Sequence, residues 1–183
     1  MFSVFKQARR VSFDYLIFLI VYVVFLPLVI SIAKDNANKW IPLYAFIVSA
    51  MLYLVIWTEL YEYGRKEKKP MYNLDPSPHK GILIGILGVL PFYILAIAAF
   101  LFNQLKAEEL NFTPELIDII NNAFLSPVYF LIVILGGSTA GYVLGIVSVP
   151  VVCYLAYLFG HKGITKKGLK KRFNDTFKKQ QEK

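Results

Sequence analysis

The side chains that could do chemistry are few and lie close to one another in the chain. Glu59, Glu62 and Arg65 recur every three residues, which on a helix puts them along one face. Asp75 and His79 follow in the next connecting segment. A Glu/Asp/His set of this kind is the raw material for a metal site or for acid–base catalysis. Its spacing matches no ligand pattern, and the same residues read as ion pairs at a membrane border whose long side chains reach water. Asp14, four residues after Arg10, belongs at the matching depth on the first apolar segment.

Two other residues invite a reactive reading. Ser138 sits in Gly136-Gly-Ser-Thr-Ala-Gly141, but an activated serine needs a base, and both His79 and His161 fall on the opposite side of the topology set out below. A helix break with Ser138 as N-cap is the better account. Cys153 is the single cysteine and lies inside an apolar run, so no intrachain disulfide, Cys-x-x-Cys pair or cysteine zinc site can form. Asn111-Phe112-Thr113 has the form of a glycosylation sequon, with Pro114 directly after it. No cofactor is expected.

These residues hang on elements that belong in lipid. Hydrophobic residues make up 57% of the 183 and charged residues 17%, and the mean hydropathy is +0.54. The charges gather at the ends and in short connections, which excludes a soluble domain. A net charge of +8 would suggest nucleic acid in a soluble protein. Charges flanking apolar spans are first of all topology signals, so no nucleic-acid partner is expected.

The first apolar run, Tyr15 to Ala33, is 19 residues long, enough to cross a hydrocarbon layer of ~30 Å as a helix. It is longer than the apolar part of a signal peptide, although Ser31-Ile32-Ala33 offers small residues at its end. The second, Ile41 to Trp57, begins beside the interfacial Trp40 and ends near Glu59. The basic loop Tyr63 to Lys80 divides the chain into two hairpins. Gly81 to Phe102 supplies 22 uncharged residues for a third span.

The stretch after it is harder to place. Thr113-Pro114-Glu115 reads as a helix start, and Leu116, Ile119, Ile120, Ala123 and Phe124 share one face of an amphipathic helix. The 38 uncharged residues from Ala123 to Gly160 would make about 57 Å of helix, too long for one straight crossing. A break at Gly136-Gly137-Ser138 leaves a short interfacial or re-entrant piece and a fourth span from Ser138 to Gly160.

Charge decides between four spans and five. Three Lys and Arg precede the first span, five lie between Arg65 and Lys80 and nine follow from Lys162, seventeen of the twenty in all. Four crossings put all seventeen in the cytoplasm, whereas a fifth would move the last nine outside.

The expected fold is therefore an all-α integral membrane protein, a bundle of four transmembrane helices with both termini inside. Its parts are a cytoplasmic N-terminus (1–14), a first hairpin (15–62), a basic loop (63–80), a second hairpin (81–160) with an external segment (103–137), and a basic tail (161–183). A bacterial plasma membrane is the expected setting. Gly81 with Gly85, and Gly137, Gly141 and Gly145, form small-xxx-small rows suited to close helix packing within the bundle, or to a homodimer or partner subunit. In the tail, Phe173 and Phe177 recur among Lys166, Lys167, Lys170, Lys171 and Arg172, the pattern of a cationic helix lying on anionic phospholipid.

Three function classes follow. A non-enzymatic accessory or regulatory subunit comes first, because packing glycines and a charged inner surface are present while site chemistry is sparse. A small transporter or channel subunit and a membrane enzyme using the inner-face acids are the alternatives.

Overall fold

A computed structural model describes residues 2–67, 77, 79–106, 124–136 and 138–163. Nearly all of these residues are helical, with no strand among them. Helix α1 covers Phe2–Ala33, α2 Ala37–Glu67 and α3 Lys80–Lys106; a six-residue α4, Tyr129–Ile134, precedes α5, Thr139–Lys162. Three of them, over Val4–Ala33, Lys39–Glu67 and Ala140–Lys162, are long and apolar enough to cross a membrane. In α3, residues Lys80–Leu95 form a further apolar stretch.

The helices begin and end differently from the hydropathy boundaries. Helix α1 starts at Phe2, so Lys6, Arg9 and Arg10 ride on its first turns and not on a separate tail. Helix α2 runs through Tyr63 to Glu67, taking five residues from the basic loop, and α3 extends through 103–106, which the external segment had claimed. Continuing an existing helix satisfies backbone groups at each added residue, an advantage where water is scarce. Between α1 and α2 the chain turns through a short 3-10 helix, Lys34–Asn36, with Lys34 at φ 44°.

The four long helices form a ring in which α1 packs on α2, α2 on α5, α5 on α3 and α3 on α1. The direction of each pair can be read from its contacts. Tyr53 meets Ser148 and Glu67 meets Tyr157, so α2 and α5 run parallel. Ser12 donates to the Gly88 carbonyl and the Tyr15 ring packs tilted against Phe92, so α1 and α3 are also parallel. Tyr15, Leu52, Ile56, Leu60, Ile84, Val149 and Cys153 fill the shared core. The outer faces are apolar as well, with Val24, Leu54, Leu83 and Val143 all more than half exposed apart from the core. That pattern suits hydrocarbon on the outside.

A wedge fills the space among α1, α2 and α5. Ser126, Pro127 and Val128 form a buried 3-10 turn, and α4 follows it toward Gly136, whose φ of 65° turns the chain into α5. Tyr15 donates its hydroxyl proton to the Phe124 carbonyl at 3.0 Å and so fixes the start of the wedge. At six residues, α4 rises about 9 Å and cannot cross a membrane. The proposed amphipathic segment from Thr113 to Asn122 lies outside the described residues.

Candidate functional site

The polar site that the fold builds lies at the end of the bundle where α2 stops and α3 starts. Tyr63 and Glu67 are four residues apart and share a face of α2. Lys80 opens α3, and Tyr157 comes from the end of α5. The Tyr63 hydroxyl donates to Glu67 Oε1 at 2.6 Å and the Tyr157 hydroxyl to Oε2 at 2.5 Å. Lys80 Nζ stands 3.3 Å from Oε1 and 3.5 Å from Oε2. The carboxylate is 1% exposed and the Lys80 side chain 21%. Glu67 is the one charged residue that is fully buried among the described residues.

Helix dipoles make each partner of this pair costly by itself. A carboxylate at a helix C-terminus faces the negative end of the dipole, and an ammonium at an N-terminus faces the positive end. Glu67 and Lys80 stand at those two ends. Facing each other, they cancel the mismatch, and the two phenols satisfy the remaining lone pairs. His161 stacks on Tyr157 with ring centroids 6.1 Å apart and closes that side. The arrangement ties α2, α3 and α5 together through one anion.

The backbone lets the helices come close enough for this. A Cβ on Gly64 would run into the Tyr157 carbonyl, and one on Gly160 into the Tyr61 carbonyl. A Cβ on Gly81 would lie 2.9 Å from the Cys153 carbonyl, and one on Gly85 2.7 Å from Pro150 Cα. Gly141 and Gly145 face the wedge instead, with 3.1 Å to Ile132 Cα and 3.4 Å to a Val128 methyl. Gly137 lies outside the described residues.

The inner-face acids occupy different surroundings. Glu62, Arg65 and His79 are exposed, while Glu59 is half-buried. Asp14, also half-buried, lies within electrostatic reach of both Glu59 and Arg10, and its Oδ2 atom is buried without a hydrogen-bond partner. Asp75 and the tail residues Lys166, Lys167, Lys170, Lys171, Arg172, Phe173 and Phe177 lie outside the described residues. Among the described residues no three His, Cys, Asp or Glu side chains converge to hold a metal ion. Ser138 caps α5, its side chain accepting from Gly141 N at 3.4 Å. The imidazole of His161 lies at the other end of that helix, about 35 Å along the axis.

Sequence reasoning did not find Glu67, Tyr63 or Tyr157. The i, i+4 spacing of Tyr63 and Glu67 was a usable signal; Tyr157, ninety residues further on, carried none. Comparison with protein-family models, with curated proteins and with solved structures finds no match to the chain.

Proposed function

We infer that this chain is a four-span membrane protein with both ends in the cytoplasm, acting without catalysis as an accessory or regulatory subunit of a membrane complex. The observation that carries this reading is the use to which Glu67 is put. Three donors on three helices hold it in a buried, closed tie, which suits a scaffold and leaves no carboxylate edge for a substrate. The hydroxyls of Tyr15, Tyr44 and Tyr93 are likewise committed to backbone carbonyls. The fourth crossing is α3, whose 27 residues would span about 40 Å. The wedge at 124–136 would then enter from the outer side, keeping the number of crossings even and the basic segments together.

Such a subunit works through its cytoplasmic surface, where the loop after Glu67 and the tail after Lys162 offer cationic side chains to anionic phospholipid and to a partner. Extraction from native membranes in a mild detergent, followed by size separation and identification of co-migrating chains, tests this. A stoichiometric membrane partner is expected. A lone species that moves solute or turns over lipid in vesicles overturns the reading. The transporter alternative draws on one observation, the unpartnered Asp14 Oδ2 beside Glu59; loss of solute flux in Asp14→Asn would favour it.

A further inference from the structure

The outer face of α1 changes character along its length. Phe13, Ile20 and Val24 are each more than half exposed and present hydrocarbon outward. The same face carries Lys6 and Arg9, seven and four residues before Phe13, and both are exposed. Ala8, Val11 and Tyr15, buried in these same turns, mark the opposite, core side. Lys6 and Arg9 make no ion pair among the described residues, whereas Arg10 lies within electrostatic reach of Asp14. Three residues apart on a helix, Lys6 and Arg9 are surface neighbours. Like charges so placed are mildly destabilising, and one anion shared between them removes that cost.

Helix length sets the depth of these two cations. Helix α1 ends at Ala33, where the chain turns through Lys34–Asn36. Counting back from that turn through ~30 Å of hydrocarbon reaches about Asp14. Arg9 then stands about 7 Å beyond the hydrocarbon edge and Lys6 about 12 Å, against a headgroup layer roughly 5–8 Å thick. The Lys6 side chain is long enough to reach back into that layer. Phe13 falls at the edge itself, the level that aromatic rings favour. A phosphate held by the two cations brings acyl chains that must lie along the face of Phe13 and Ile20, which is apolar and exposed. An acidic partner in water would match the charges and leave that face unused.

We propose that Lys6 and Arg9 clamp the phosphate of one anionic phospholipid in the leaflet at this end of α1, with its acyl chains along Phe13 and Ile20. Arg9 supplies paired N–H donors that fit phosphate oxygens, and Lys6 a second positive charge. The site lies apart from the basic loop and the tail. It stands on α1 crossing the membrane and not on which end is cytoplasmic.

The test uses the full-length protein in vesicles of equal phosphatidylglycerol and phosphatidylcholine, extracted in mild detergent and weighed intact by native mass spectrometry. Phosphatidylglycerol should be retained several-fold above phosphatidylcholine. The double variant Lys6→Gln with Arg9→Gln should lose one phosphatidylglycerol per chain relative to the parent. Arg9→Lys keeps the charge and loses the paired donors, so its retention should fall between the two. Lys34→Gln with Lys39→Gln removes two exposed cations at the other end of the crossing and should leave retention unchanged. All four positions are exposed, so the variants should unfold at the parent's temperature in the same detergent. Unchanged retention in the Lys6/Arg9 variant, an equal loss in the Lys34/Lys39 variant, or an acidic chain bound at Lys6 and Arg9 in place of lipid overturns the proposal. The co-migrating partner sought above is measured separately, so either reading can fail while the other stands.

Discussion

The Tyr93 hydroxyl donates to the carbonyl of Ile146 at 3.1 Å, and Ile146 is the residue four before Pro150 in α5. Proline has no N–H, so that carbonyl loses its helical donor. A phenol from the neighbouring helix replaces it, as hydrocarbon surroundings require.

Removing that donor should weaken the α3–α5 contact modestly. Tyr93→Phe is expected to cost about 0.6 kcal/mol in micelle unfolding, the average for interhelical hydrogen bonds in membranes, and no more than about 1.7 kcal/mol. In a Pro150→Ala background, where the alanine N–H restores the helical bond, the same change should cost less. An identical loss in both backgrounds, read as a double-mutant cycle, would show that Tyr93 acts by packing alone.

Glycine positions should separate by the space around them. Gly160→Ala places a methyl on the Tyr61 carbonyl and should destabilise by about 1–3 kcal/mol, as overpacking does. Gly145→Ala brings its methyl to 3.4 Å from a Val128 methyl group, ordinary contact distance, and should be near neutral. Thermal unfolding of both in one detergent decides; equal effects would remove the α2–α5 seam as the tight contact.

Breaking the Glu67 tie should be costly and unequal. Lys80→Met leaves a buried carboxylate with phenol partners alone and should lose about 3–5 kcal/mol, the usual effect of orphaning a buried charge. Glu67→Gln with Lys80→Met removes both charges and should recover much of the loss. Failure of the double variant to recover stability would show that the ion pair is incidental to the fold.

The basic tail should be protected by anionic lipid. In vesicles rich in phosphatidylglycerol, chymotrypsin cleavage at Phe173 and Phe177 should be slower than in phosphatidylcholine. Salt should erase the difference, since each basic residue near the surface contributes roughly 1 kcal/mol that screening removes. Replacing Lys166, Lys167, Lys170, Lys171 and Arg172 with glutamine should abolish protection. Equal cleavage in the two lipids would exclude a lipid-bound tail.

Much of the architecture could be read from uncharged length, because a helix in hydrocarbon tolerates few charges and the ends of apolar runs are abrupt. That logic located the body of α1, α2 and α5 and the break at Gly136. It placed Glu67 in a water-held loop for the same reason: an isolated carboxylate is a strong signal for water. Three donors overrule the signal, and two of them arrive from other helices, Lys80 and Tyr157. No window around residue 67 contains them. The glycine rows at 81, 85, 141 and 145 could be seen as repeats, whereas Gly64 and Gly160 are single glycines that matter through a partner far away in the chain.

The parallel pairing of α2 with α5 bears on how the molecule is made. Helices enter a bilayer in order during synthesis, so Gly64 waits for the α5 surface, which emerges only after α3. Glu67 meanwhile has Tyr63 and Lys80 but lacks Tyr157. A chain interrupted before α5 would expose an unfinished seam and an acid at a greasy boundary, features by which a cell's membrane proteases could tell it from a chain that carries α5.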